Sequence, residues 1–95
     1  MIHEYLHKGA ENAQSTSELC ALLGMEPREL RTAIERERRN HVPICATTRG
    51  KRRGYYLAAN KEEMRRYCSS LLHRAGEIHK TRRACMAALE SLPGE

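Results

Sequence analysis

The 95-residue chain has no phenylalanine, no tryptophan and no aspartate. Without the two largest aromatic side chains, a core must be filled by Leu, Ile, Met, Ala and four Tyr. No apolar run approaches the roughly 18 residues needed to span a bilayer, so no membrane partner is expected. The opening MIHEYLHK has no hydrophobic signal core, and a cytoplasmic location is expected. There is no CxxC and no Cys/His pair at zinc spacing. Cys20, Cys45, Cys68 and Cys85 are 25, 23 and 17 residues apart and read as reduced core or seam residues. His3 and His7 stand four apart but lack a third ligand, so no metal is expected. A glycine-rich loop with a phosphate-binding lysine is missing, as is any Ser or Cys nucleophile motif. No acid and base are set around a pocket. The expectation is a protein that is not an enzyme and carries no cofactor.

What is present is positive charge in one place. The chain carries a formal net charge of +5. Residues 28–53 hold nine basic side chains and only three acidic ones, Glu29, Glu35 and Glu37, so the excess lies within that window. Arginine outnumbers lysine thirteen to four. Guanidinium suits bidentate contact with phosphate and guanine. A localised basic field of this kind favours a polyanionic partner.

Length allows one domain with a modest core and one appended element. Residues 2–10 (IHEYLHKGA) are expected to form a short amphipathic helix with Ile2, Tyr5 and Leu6 on one side, followed by a polar connector from Glu11 to Ser15. A second helix starts at the Ser15/Thr16/Ser17 cluster, any of which can cap it. Leu19, Cys20, Leu22 and Leu23 form its apolar face, and Gly24 stops it. Pro27 suits the first position of a third helix, which runs to about Arg39. Leu30, Ala33 and Ile34 make its buried stripe, with Glu37 or Arg38 at the edge. Arg28, Thr32, Glu35, Arg36 and Arg39 project to the opposite side, with Arg31 on the shoulder. VPICATT and GYYLAA then flank Arg49-Gly50-Lys51-Arg52-Arg53-Gly54. This predicts a β-hairpin with Ile44, Ala46, Tyr55 and Leu57 inward and a basic tip.

Asn60 with Glu63 is a capping-box signal for a long last helix, interrupted only by Gly76 and ended by Pro93-Gly94. Met64, Cys68, Leu71, Ala75, Ile78, Arg82, Cys85, Leu89 and Leu92 alternate at spacings of four and three, a heptad seam. A helix of that length outreaches a domain of some 60 residues, so its far half needs another surface. Self-association through Leu71, Ala75, Ile78, Arg82, Cys85, Leu89 and Leu92 is expected; the alternative is a helix that bends back on its own domain. The expected fold class is therefore mainly α with a small β-hairpin (α+β). Residues 1–60 form one domain and residues 61–92 a dimerisation helix.

From Thr16 the order of elements resembles a winged helix-turn-helix. Cys20 falls where that motif wants a small residue, Gly24 on its turn glycine, and Leu30 and Ala33 on its packing positions. NHVPICATTRGKRRGYYLA is similar to the winged-helix domain of biotin-operon-repressor-type regulators, and to small winged-helix proteins of phages and prophages. The resemblance covers about residues 2–60. It implies double-stranded DNA as partner, with the third helix in the major groove and the hairpin as a wing on the backbone. The residues point the same way. Arg28, Thr32, Arg36 and Glu35 are placed for base edges; Arg31, Arg39, Arg49, Lys51, Arg52 and Arg53 suit phosphates or a minor groove. Glu35 either accepts from cytosine or pairs with Arg31 or Arg39. The expected function is a sequence-specific, dimeric transcriptional regulator, a repressor. The alternatives are a phage-type architectural or replication accessory protein, and a winged-helix module whose basic face or long helix binds a protein.

Overall fold

Ser15 opens α1 (Thr16–Leu23) in the computed structural model, which describes residues 1–48 and 52–94. Its Oγ accepts from the Glu18 N–H at 3.0 Å, and the Glu18 carboxylate accepts from the Ser15 N–H at 3.3 Å, a reciprocal cap. Gly24 ends the helix at φ 65°, a left-handed conformation that glycine adopts without steric cost. Pro27 then starts α2 (Pro27–Arg39), as its fixed φ favours. Val42 N–H returns to the Glu37 carbonyl at 3.1 Å to close the end of α2. Among the described residues there follow β1 (Ile44–Thr47), β2 (Gly54–Leu57) and α3 (Lys61–Leu89), with two 3-10 turns, Ile2–Tyr5 and Ala10–Asn12, ahead of α1. The architecture of the described residues is α+β: three α-helices and an antiparallel two-stranded hairpin.

The core is built by Ile2, Leu6, Leu19, Leu30, Ile34 and Ile44, with Ala33, Tyr55 and Leu57 packed against it. Leu22 and Tyr5, expected on apolar faces, are exposed. The hairpin pairs Ile44 with Leu57, Cys45 with Tyr56, Ala46 with Tyr55 and Thr47 with Gly54. Simple alternation fails here. Ile44 and Cys45 are both fully buried, and Tyr56 is more buried than either Tyr55 or Leu57. The second face is covered as well: Cys45 Sγ lies 3.7 Å from Met64 Sδ at the start of α3.

Residues 2–10 do not form the expected α-helix. After the first 3-10 turn the chain runs out along β2. Leu57 N–H donates to the His7 carbonyl and Gly9 N–H to the Leu57 carbonyl, while Gln14 and Tyr55 exchange both backbone bonds. Backbone groups used in this pairing are lost to a helical ladder, which is why propensity is overridden. The polar connector is likewise not solvated throughout. Gln14 is buried, its Oε1 accepting from His7 N–H and its Nε2 donating to the Tyr5 carbonyl. Gly54 makes the approach possible, because at φ 137° a Cβ there would collide with the Gln14 carbonyl group.

The chain divides into two compact units, Met1–Arg65 and Arg66–Glu95. The first takes in the opening turn of α3. Asn60 Oδ1 caps the Glu63 N–H, and the Glu63 carboxylate accepts from Ala59 N–H at 2.7 Å and Ala10 N–H at 3.1 Å. At the other end α3 stops at Leu89, three residues short of Leu92. Glu90, Ser91 and Leu92 form i to i−3 bonds instead, and Pro93 disfavours a helical Leu92. Leu92, read as the last seam residue, therefore lies outside the helix. No helix among the described residues is long and apolar enough to cross a membrane.

Candidate nucleic-acid interface

α2 sorts its side chains by period. Leu30, Ile34 and Glu37 are buried, and Arg28, Arg31, Thr32, Glu35, Arg36 and Arg39 are all exposed. Arg31, Thr32, Glu35, Arg36, Arg39 and Asn40 together line one open, shallow depression. Within it Glu35 is engaged by Arg39, at 3.5 Å, and more loosely by Arg38, at 4.0 Å. Of the two roles open to Glu35, the structure displays the ion pair with Arg39. Among the described residues Arg28, Arg31 and Arg36 have no ion-pair partner, so their guanidinium groups stay available to an external anion. The helix start is less receptive: Glu29 Oε1 accepts from the Glu26 N–H at 3.1 Å and holds negative charge over the first amides.

Arg38 belongs to the same run of arginines but does different work. It is largely covered, its Nε donating to the Ile44 carbonyl at 2.9 Å and its guanidinium standing 5.8 Å from the centre of the Tyr55 ring. It joins α2 to the hairpin rather than facing solvent. Glu37, one helical turn past Ile34, is the acid on the buried stripe. Its carboxylate accepts from Ile2 N–H at 2.8 Å, His3 N–H at 2.9 Å and the His3 ring at 2.8 Å. Burial pushes the Glu37 carboxyl up, but the His3 and Ile2 hydrogen bonds together outweigh it and hold it below its ordinary value. His3 is thus a partner of Glu37 and not half of a histidine pair with His7. The signal for this was present in the sequence, since Leu30, Ile34 and Glu37 share the apolar spacing. What it did not show was the donor that would meet the carboxylate.

Arg52 and Arg53, which lead into β2 from the connection between the strands, are exposed. Arg52 NH1 also reaches the Ala13 carbonyl, at 3.4 Å. Arg49 and Lys51, the other two basic residues assigned to the tip, lie outside the described residues. The seam residues form a separate group on α3. Leu71, Ala75, Ile78, Arg82, Cys85 and Leu89 are exposed, as is Leu92 beyond the helix end. All four cysteines are free, and among the described residues no three His, Cys or Glu side chains are grouped to hold a metal ion. Compared with known proteins, the chain matches no family model, no curated protein and no solved structure.

Proposed function

We propose that this chain is a sequence-specific double-stranded DNA-binding protein of the winged helix-turn-helix type. In this reading it is a small cytoplasmic transcriptional regulator, a repressor, acting as a homodimer through α3. The observation that carries the proposal is the division of labour on α2. Arg38 and Glu37 are used internally, while Arg28, Arg31 and Arg36 stand exposed on one face and, among the described residues, without ion-pair partners. A helix that presents unpaired guanidinium groups beside Thr32 can read base edges while its shoulder residues hold phosphates. The order of α1, the Gly24 turn, α2 and a basic hairpin supports the same reading. Arg52 and Arg53, with Arg49 and Lys51, supply the backbone clamp.

Fluorescence anisotropy on duplex DNA across a salt series tests it. Removing a phosphate contact at Arg52 or Arg53 is expected to lower affinity for all duplexes and to reduce the salt slope by about 1 per lost contact. Arg28→Ala or Arg36→Ala is expected to cost about 1–3 kcal/mol on the preferred sequence and to relax the preference. Losses that are equal on every sequence would point to architectural binding instead. Absence of binding even at low salt sinks the DNA reading and leaves the module that binds a protein.

A further inference from the structure

We infer that the apolar face of α3 is covered by α3 of a second copy of this chain, running antiparallel, in a register that sets Cys68 against Cys85 of the partner subunit. The inference deepens the homodimer reading above and rests on it.

From Cys68 to Leu89 every residue of α3 is exposed, including Leu72 at 75% and Ile78 at 69%. A helical stretch of this length that buries nothing is marginal in water, because most helical stability in proteins comes from packing an apolar face. Large exposed apolar stripes mark interaction sites. The stripe has the chemistry of a coiled-coil seam: Cys68, Leu71, Ala75, Ile78, Arg82, Cys85 and Leu89 repeat at three and four residues, and Leu72 and Met86 widen it on one side. A seam with this period is matched by another helix with the same period, and a second copy presents it.

Arg82 chooses the direction. In a parallel, in-register pair each seam residue meets itself. Arg82 would face Arg82 of the partner subunit inside the seam, where like charges repel. Ala75 would face another Ala75, leaving that layer under-filled. In an antiparallel pair centred between Gly76 and Glu77, Ala75 faces Ile78 of the partner subunit and Leu71 faces Arg82 of the partner subunit. The arginine stem can then cover Leu71 while its head reaches water. The two Arg82 side chains are separated by 11 residues along the seam, roughly 16 Å at 1.5 Å per residue. Small meets large, and like charges are parted.

The register follows from the ends of the free face. A shift of one heptad in one direction would require Met64, whose sulfur already lies 3.7 Å from Cys45. A shift in the other direction would require Leu92, which is past the end of the helix. The centred register needs Met64 only in its outermost layer, opposite Leu89 of the partner subunit, and fills its three inner layers with residues that are both helical and exposed. It also parts the two Arg82 side chains, which the second shift would bring within four residues, about 6 Å. It places Cys68 and Cys85 of the partner subunit in the same layer, within disulfide-forming reach on mild oxidation. Two Cys68 side chains would be about 26 Å apart along the axis.

Sedimentation equilibrium of the full-length protein, followed by oxidation with copper phenanthroline and peptide mapping, tests this. The expected result is a dimer whose cross-link joins Cys68 to Cys85, and which fails to cross-link in both C68S and C85S. Leu71→Glu should keep the dimer, because the new carboxylate faces Arg82 of the partner subunit. A parallel pair would instead cross-link in each single-cysteine variant and dissociate in L71E. That pattern overturns the orientation and leaves the homodimer standing, as does a dimer that gives no cross-link at all. A chain that sediments as a monomer overturns both the orientation and the homodimer. DNA binding, read separately by anisotropy, is untouched by any of these outcomes.

Discussion

On α2, within Met1–Arg65, the apolar residues that recur at helical spacing are turned inward, and most of what remains on its surface is charge. Leu30 and Ile34 are buried while Arg28, Arg31 and Arg36 are exposed. In the second unit the same kind of recurrence has the opposite fate, with Leu71, Ile78 and Leu89 exposed. The sequence pattern is equally regular in both. What differs is whether the chain supplies a surface to complete the burial. α2 meets Ile2, Leu19 and Ile44, whereas the α3 stripe beyond Tyr67 is left open. Periodicity thus reveals that a face exists, and only its burial tells which faces are already spent. Those left over are where binding is to be sought: a cationic face on α2 and an apolar one on α3.

The comparison can be broken most sharply at its two apolar stripes. Leu30→Ala removes a fully buried side chain and is expected to cost about 2–5 kcal/mol in urea unfolding. Ile78→Ala, measured at a concentration low enough to keep the chain monomeric, should change stability by less than about 0.5 kcal/mol. Equal losses at the two positions would erase the distinction between a filled and an open face.

Next in size is Glu37→Gln, which replaces a carboxylate accepting from two backbone amides and a histidine ring. It is expected to cost about 1–3 kcal/mol near neutral pH. The pH dependence carries a sign. The carboxyl of Glu37 is held below its ordinary value near 4.5 in the folded chain. Its contribution is therefore complete above that unfolded value and is lost as the pH falls through the lower, folded one. The variant should lack this portion of the acid limb. If its acid unfolding matches the wild type, Glu37 does not hold the N-terminal segment in place.

Smaller again is the contrast between neighbouring arginines. Arg38→Ala loses the bond to the Ile44 carbonyl and the contact with Tyr55, about 1–2 kcal/mol of stability. Arg36→Ala should leave stability within about 0.5 kcal/mol of the wild type and show its effect on DNA affinity alone. Thermal melts paired with anisotropy separate the two, and a destabilised Arg36→Ala would contradict the sorting of α2 into inner and outer cations. The smallest effect is a gain. Gly76 has open space where a Cβ would stand, so Gly76→Ala should stabilise α3 by about 1 kcal/mol. Circular dichroism at 222 nm would show this as a higher melting temperature of the helical signal; an unchanged or lower one counts against a continuous helix through that position.

Much of the local structure could be read from neighbours in the chain. The Ser15/Thr16/Ser17 cluster, Gly24 and Pro27 mark the ends of α1 and the start of α2, and each works through atoms a few residues away; which hydroxyl caps, Ser15, is seen only in the structure. The outward set on α2 follows from a period of 3.6 residues once Leu30 and Ile34 are taken as buried. Apart from the early end of α3, which adjacent Pro93 explains, the main failures involve groups distant in sequence. Residues 2–10 carry an amphipathic pattern, yet Glu37, 34 and 35 residues away from His3 and Ile2, takes the first amides, and β2 takes those that follow. Cys45 lies on the face of the hairpin that alternation assigns to solvent, and Met64 covers it. Nothing near Gly54 in the sequence announces that the backbone of Gln14 comes against it.

By itself, then, the sequence determined the order and approximate extent of the helices and strands from Ser15 to the start of α3, the segregation of positive charge into residues 28–53, and the repeat along α3, because caps, turns and periodicity are set by bonds and contacts within a few residues. The tertiary structure decided the rest. It chose which arginine of α2 is turned inward, drew the N-terminal segment along β2, buried Glu37 against the amides of Ile2 and His3, and left the α3 stripe open. These depend on whether a distant group arrives with a complementary donor, acceptor or apolar surface, and burial is favourable only when it does.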